Sequence, residues 1–467
     1  MNHKKLQDGK RNHQQVKEKQ IALVLQGGGA MGAYEVGVLK AIIEWAVQNN
    51  RNADRDFFDV VAGSSIGVIN GAILVQEFVK NRSWTEAVNE LEKFWIMRLA
   101  TESFVDNIQG FSEWWQYWTD LAGGSIASSE AARRYFSSLQ FWIFGIPGLF
   151  SSLPSFDRRF LDPQFNLLQR GDWSALGNML ENYKQEHGFK LFPIKTDPER
   201  DPRLLTTAID VKTGDGVIFD SYSSESCYPV ATYHPNKTNS EVKNISNQEI
   251  KIKYPDGLMK SHIMASAAIP ANTDFAVIDD INSKPHMYWD GAFASNTPMR
   301  GLIQSHRDWY LNHGGTVPDL AEVYIVGLWP RTVQGLPVPP DNNFVWSRMW
   351  DLLFDDKTTY VEKTAEMVTD YLDIIEKLRP LAEENGHKDE VDRFLADAAH
   401  SRHRDGSYRK RQGLLEGRFK IGKIQRVEMS AFQDASGLKI FDFSKRTIQQ
   451  LIAQGQRDGM ALSHSEK

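Results

Sequence analysis

Two apolar runs near the start of the chain each end on glycine, and each is followed by a pattern of helical period. Ile21–Gln26 (IALVLQ) runs into Gly27, Gly28 and Gly29, after which Tyr34, Val38, Leu39, Ile42 and Ile43 recur along one helix face. Phe57–Ala62 runs into Gly63, and Ile66–Val79 follows as a second helix. An uninterrupted apolar strand is buried on both faces, the condition of a strand inside a parallel sheet. Strand–helix–strand–helix with short connections therefore predicts an α/β fold with a mostly parallel central sheet flanked by helices.

The rest of the chain divides by texture. Residues 1–19 are polar and mildly basic and read as a disordered arm, followed by an α/β domain over 20–330. Within it, 81–200 is rich in Trp, Phe, Ser and Gly and reads as a helical, aromatic, cap-like insertion. The core resumes at Leu204–Ile209, which leads into Asp210, with Gly216–Asp220 expected to pair with it across the turn at Lys212–Gly214. Pro229–Glu249 reads as a polar loop, and Ser261–Ile269 as a helix stopped by Pro270. His286–Trp289 is a strand ending at Asp290, and Ala321–Leu328 a further buried strand. Residues 331–467 form a C-terminal extension, helical and without strand signal over 340–415. It closes with a strand at Lys420–Met429 and a helix over Ser444–Gln454, ending near Gly455.

Composition narrows the function. The chain has 467 residues, 41% hydrophobic and 24% charged, enough to bury a large core. A formal charge of −6 gives no footprint for a nucleic-acid partner. The single cysteine, Cys227, excludes an intramolecular disulfide and reads as an inert buried thiol. The N-terminal segment lacks the apolar core of a signal peptide. The longest apolar run, Phe141–Phe150, is too short to cross a bilayer and is broken by Gly145, Pro147 and Gly148. A cytoplasmic protein, soluble or peripheral to a membrane, is expected.

The chemistry gathers at the glycines. Gly63-Ser64-Ser65-Ile66-Gly67 matches G-x-S-x-G between a strand and a helix, where the tight bend needs small neighbours and lifts the central serine clear of the sheet. Ser65 is thereby a candidate nucleophile, aimed at a helix N-terminus that favours developing negative charge. The glycines of Gln26-Gly27-Gly28-Gly29-Ala30-Met31-Gly32 also satisfy a dinucleotide fingerprint. That rival requires an acid at the end of the second strand. The acids Asp54, Asp56 and Asp59 lie before or at its start instead. Bare backbone N–H groups can equally line up on one anion and form an oxyanion hole. The base is less plain. His262 and His286 lie near core elements but do not follow a strand end. Asp290, with Gly291 and Ala292 allowing a tight turn beside it, is the better candidate. Strand ends of a parallel sheet gather on one edge, where Asp290 and Ser65 can meet.

Taken in order, QGGGAMG, GSSIG and DGA resemble the patatin-like phospholipase family. LLTTAID with TGDGVIFD, ASAAIP at 265–270, and DGAFASNTP with Asn296 and Pro298 resemble further family signatures. The resemblance covers Ile21–Gly301. More loosely, Val323–Gly327 and FDFSKRTIQQLI resemble longer bacterial members with a helical extension. It implies an α/β fold and a serine–aspartate dyad without histidine, with Ser65 as nucleophile and Asp290 as proton acceptor. Gly27, Gly28 and Gly29 would form the oxyanion loop, with Gly32, Gly63, Gly67, Gly291 and Ala292 supporting the motifs. The implied substrate is a lipid ester, with no cofactor. Many members carry Arg or Lys at Met31 and a small residue at Val68. Met31 is what keeps open a catalytically silent lipid-binding or scaffold protein on the same fold. No carboxylates or histidines fall at metal-ligand spacing.

Two surface features bear on a membrane. The stretch Trp114–Phe150, with Trp114, Trp115 and Trp118 and then Phe141–Phe150, either packs the insertion against the α/β core or, as expected here, forms the rim or lid of the cleft. His400, Arg402, His403, Arg404, Arg409, Lys410 and Arg411 form a basic cluster, either a solvated loop or an attraction for anionic lipid.

Overall fold

The computed structural model describes residues 17–464 except 50–53, 55, 109, 122–128, 147–148, 151–172, 186–187, 227–251, 271–274, 281, 315, 333–341, 356, 403–407 and 431–436. The expected N-terminal arm up to residue 16, Cys227, the loop at 229–249, and Pro147 and Gly148 lie outside the described residues.

Among the described residues the core of the chain is an eight-stranded mixed sheet, mostly parallel, flanked by helices. β1 (Lys19–Leu25) lies between β2 (Val60–Gly63) and β7 (Asp319–Gly327), parallel to both, and is buried over most of its length. Its apolar run reflects contact on both faces. Beyond β2 comes β3 (Arg203–Asp210), also parallel, and beyond β7 comes β10 (Ile421–Glu428). The expected hairpin forms: β4 (Gly216–Asp220) returns antiparallel along β3.

β6 (Pro285–Asp290) departs from the expected parallel arrangement. It runs antiparallel to β3, with Ala208 opposite Asp290, and is preceded by its hairpin partner β5 (Ala276–Asp279). Ala208 also pairs with Val217 of β4, and Thr206 pairs with both Gly63 and Phe219. β4 thus fills one edge of β3, while β2 and β6 share the other, end to end. The end of β6 therefore points at the end of β2, and this opposition, rather than a shared parallel edge, carries Asp290 towards Ser65.

One face of the sheet is covered by α1 (Ala33–Gln48), α2 (Ile66–Asn81) and α3 (Trp84–Phe94). Ser83 caps α3 by accepting from Glu86 N–H at 3.1 Å. The insertion continues with helices at Phe111–Leu121 (α4), Ser129–Phe144 (α5) and Ser174–Glu181 (α6), and α7 (Lys260–Ala267) follows β4. The other face packs against α8 (Met299–Asn312). Then come α9 (Asn342–Phe354), the long α10 (Thr359–Glu384) and α11 (Lys388–Ala396).

The segment after residue 396 differs from its sequence reading in two ways. A small hairpin, β8 (Ala398–Arg402) with β9 (Tyr408–Lys410), occupies a stretch expected to lack strands. Its polar residues give no apolar alternation to read. His400, Arg402, Arg409 and Lys410 of the basic cluster fall on it, while His403 and Arg404 lie outside the described residues. The last helix, α12 (Lys445–His464), does not stop near Gly455. Its glycines are contact points: a Cβ on Gly455 would lie 2.0 Å from the Tyr34 carbonyl oxygen, and one on Gly37 of α1 would lie 1.9 Å from that of Ile452. Glycine here allows two helix backbones to touch. The C-terminal strand and helix are thus built into the core. Buried Asp442 takes the hydroxyls of Ser444 (2.6 Å) and Thr447 (2.8 Å), which also accept from Arg133 of α5.

Gly37→Val should force the α1–α12 contact apart and cost about 1–3 kcal/mol or more, lowering Tm by several degrees. Gly413→Ala, where a Cβ meets nothing within 4 Å, should leave Tm unchanged or slightly raised. Thermal melts of the two variants check this, and equal Tm values would contradict it.

Candidate active site

Ser65 sits between the end of β2 and the start of α2 with φ 54° and ψ −125°, a backbone conformation that costs a non-glycine residue roughly 1–3 kcal/mol. The bend admits no side chains around it. A Cβ on Gly63 would lie 2.7 Å from the Gly67 backbone, and one on Gly67 would lie 2.6 Å from the Leu25 carbonyl oxygen. The Ser65 N–H donates to Ser266 Oγ of α7 at 3.0 Å, which fixes the turn from outside.

The Ser65 hydroxyl donates to Asp290 Oδ2 at 2.5 Å. The other carboxylate oxygen accepts from Ala292 N–H at 2.8 Å, and the Asp290 N–H donates to the Ala268 carbonyl at 2.8 Å. Gly291 must be small, since a Cβ there would lie 2.3 Å from the Thr207 carbonyl oxygen. Thr207 itself donates to the Gly63 carbonyl at 3.2 Å, tying the two strand ends together. Asp290 is 2% exposed. Burial pushes its carboxyl up to about 7, against the opposing pull of the bonds from Ser65 and Ala292. A carboxylate of this basicity can take a proton from a hydroxyl far better than one of ordinary acidity.

The glycine loop lies beside this pair. A Cβ on Gly27 would lie 2.8 Å from Ser65 Cβ. The Gly27 N–H donates to Asn296 Oδ1 at 2.9 Å, and its carbonyl accepts from Trp329 Nε1 at 2.6 Å, so both its polar groups are engaged. Gly28 and Gly29 donate their N–H groups to no partner among the described residues. Gly29 has φ +56° and lies against the Ile440 carbonyl, while Gly32 faces Ile66 at the root of α2. Met31 is buried and packs its methyl toward Gly28.

Residues the motifs left without a role complete the frame. Asn296 donates to the Phe354 carbonyl at 2.9 Å. Gln26 accepts from Leu328 N–H at 2.5 Å and Trp329 N–H at 3.2 Å, and donates to Thr297 Oγ1 at 3.1 Å. Gln26, Ser266 and Asn296 all stand inside quoted signature segments, which was the available signal. Among the described residues, neither His262 nor His286 hydrogen-bonds to Ser65 or Asp290. His262 accepts from the Met259 N–H at 2.8 Å and burial pushes it down to about 4, while His286 faces Asp280 at 3.4 Å. Asp59 accepts from the Ile21 N–H at 2.8 Å and pairs with Lys17. No group of three or more potential metal ligands occurs among the described residues.

Residues 23–303 match the family model for patatin-like phospholipase. The chain belongs to the patatin-like phospholipase family. Two similar curated proteins are the patatin-like phospholipase domain-containing protein 7 of Mus musculus, 34% identical, and that of Rattus norvegicus, 33% identical. Each match runs over 79 residues, 16% of this chain and 5% of the relative. This patatin-like chain therefore spans only a small part of those relatives. Among solved structures, VipD from Legionella pneumophila aligns over 96% of this chain and 67% of its own, at 10% identity and a TM-score of 0.32.

Asp290 also shapes the stability of this patatin-like protein. Folded, it keeps its proton to about pH 7; unfolded, it loses it near 3.8. Between these values the folded state holds the extra proton, so stability falls as pH rises. Asp290→Asn should remove that slope and raise stability at pH 8 by up to ~4 kcal/mol, with little effect near pH 4. Urea melts at the two pH values measure it; an unchanged pH dependence would contradict the assignment.

Proposed function

We propose that this protein is a serine acyl hydrolase of lipid esters that works through a Ser65–Asp290 dyad. The 2.5 Å hydrogen bond from a serine held at positive φ to a fully buried carboxylate carries the reading. Family membership supports hydrolysis of lipids in general.

In this mechanism Ser65 Oγ attacks the ester carbonyl carbon while its proton passes to Asp290 Oδ2. The carbonyl oxygen, now an anion, is held by the N–H groups of Gly28 and Gly29. Gly27 serves differently: its N–H, engaged by Asn296, fixes the loop rather than meeting the anion. Collapse breaks the bond to the leaving alcohol, which takes the proton from Asp290 and leaves an acyl ester on Ser65. Water then attacks that ester, giving its proton to Asp290. Collapse of the second tetrahedral species expels Ser65 Oγ, which regains the proton, and the fatty acid departs. Met31 stands where the chemistry asks only for a backbone, so its side chain does not bear on the anion.

The membrane contact in this reading falls on part of the aromatic insertion. Trp114, Tyr117, Trp118 and Leu121 are 47–65% exposed and follow one face of α4, with Trp142 and Phe144 of α5 also exposed. Such a face suits the bilayer interface. Phe141, Ile146, Leu149 and Phe150 belong to the buried core and take no part in a rim. Among the described residues no helix is long and apolar enough to cross a membrane.

Turnover of a short-chain p-nitrophenyl ester should rise with pH through about 7, as Asp290 loses its proton. Ser65→Ala should abolish it, and Gly29→Val should lower it by ~10²–10³. Trp118→Ser with Leu121→Ser should weaken binding to phospholipid vesicles while soluble-ester turnover persists. A Ser65→Ala variant with wild-type turnover, or vesicle binding unmoved by the double variant, would overturn the corresponding part.

A further inference from the structure

Behind the glycine loop lies a buried hub that the dyad mechanism leaves unused. Glu35, in the first turn of α1, has no exposed surface, and neither has Asn70 of α2. Asn70 Nδ2 donates to Glu35 Oε2 at 2.7 Å and to the Gly32 carbonyl at 3.0 Å. Its Oδ1 accepts from Trp95 Nε1 at 2.8 Å, so the amide is fully engaged. The backbone N–H of Gln26 lies beside the Glu35 carboxyl, whose Oε1 makes no hydrogen bond among the described residues. One carboxyl thus stands between the first residue before the glycine loop and, through Asn70, the last residue of it. Asn70 in turn is carried by the helix that begins at Ser65.

We infer that Glu35 is a positioning residue: through Asn70 it fixes the distance between the oxyanion loop and the nucleophile helix. The inference rests on the dyad reading above. An amide that bonds Gly32, Glu35 and Trp95 at once has a single orientation, and Gly32 cannot shift along α2 without breaking it. Loss of the Glu35 anchor leaves a buried amide hydrogen unpaired and frees the loop to slide relative to Ser65. A displacement on the scale of an ångström at a reacting centre costs about 10²-fold in rate. Burial also holds the Glu35 carboxyl well above the usual carboxylate range.

Glutamine keeps an acceptor of the same reach for Asn70, and a truncated side chain does not. Glu35→Ala should lower kcat for the soluble ester by about 10–10²-fold with KM little changed. Glu35→Gln should keep kcat near wild type. Amide hydrogen exchange over residues 26–34 should quicken in the alanine variant and not in the glutamine variant. Asn70→Ser, which leaves the carboxyl in place and breaks the hub, should behave as Glu35→Ala does, and decides the matter if Glu35→Ala does not fold. The inference is overturned if folded Glu35→Ala keeps wild-type kcat, if glutamine is as damaging as alanine, or if exchange of the loop is unmoved. Should the wild-type protein show no turnover, the dyad reading fails by itself, and the exchange experiment still reads the hub.

Discussion

The bond between Ser65 and Asp290 is held where two strands face each other along one edge of β3. β2 brings the serine from one direction and β6 brings the aspartate from the other, because Thr206 pairs with Gly63 and Ala208 with Asp290. Two residues of β3 thus set the gap in which both side chains meet. The surrounding features follow from that gap. Gly63 and Gly67 let the first strand bend away, Gly291 lets the second pass the Thr207 carbonyl, and Thr207 joins the two ends. The glycine loop then has one place to lie, against Ser65, pinned by Asn296, Gln26 and Trp329.

This arrangement works against stability locally. A serine at positive φ costs roughly 1–3 kcal/mol, and a carboxylate denied water costs a comparable amount or more at neutral pH. The core offsets both. Burying one large apolar side chain contributes about 1.5–3 kcal/mol, and Trp84, Tyr34, Phe57, Phe94 and Trp95 are all inaccessible beside the sheet. The C-terminal strand and helix add to the same core, closing over α1 through glycine contacts too tight for any side chain. Precise placement of a few polar groups is sustained by a large apolar body.

Much of this was legible in the amino-acid sequence where local chemistry determines the outcome. The unbroken apolar runs announced buried parallel strands, and G-x-S-x-G with its flanking elements announced the bend at Ser65. The direction of β6 was not legible, because a six-residue strand reads the same parallel or antiparallel, and its orientation is decided by its pairing with β3. Gly455 read as a helix end because its true contact, the Tyr34 carbonyl, is distant in the chain. Phe150 and Trp118 look alike as members of an aromatic stretch; only packing separates the buried ring from the exposed one. The engagement of the Gly27 N–H by Asn296 is likewise a long-range contact that no local pattern encodes.

The central claim is that Ser65 is a nucleophile made reactive by a carboxylate alone. Its most direct measurement is covalent labelling by a fluorophosphonate, with the modified peptide read by mass spectrometry in the wild type, Asp290→Asn, His262→Ala and His286→Ala. The account predicts a single adduct on Ser65 in the wild type, retained in both histidine variants and nearly lost in Asp290→Asn. An adduct on another serine, or loss of labelling in a histidine variant that remains folded, would contradict it.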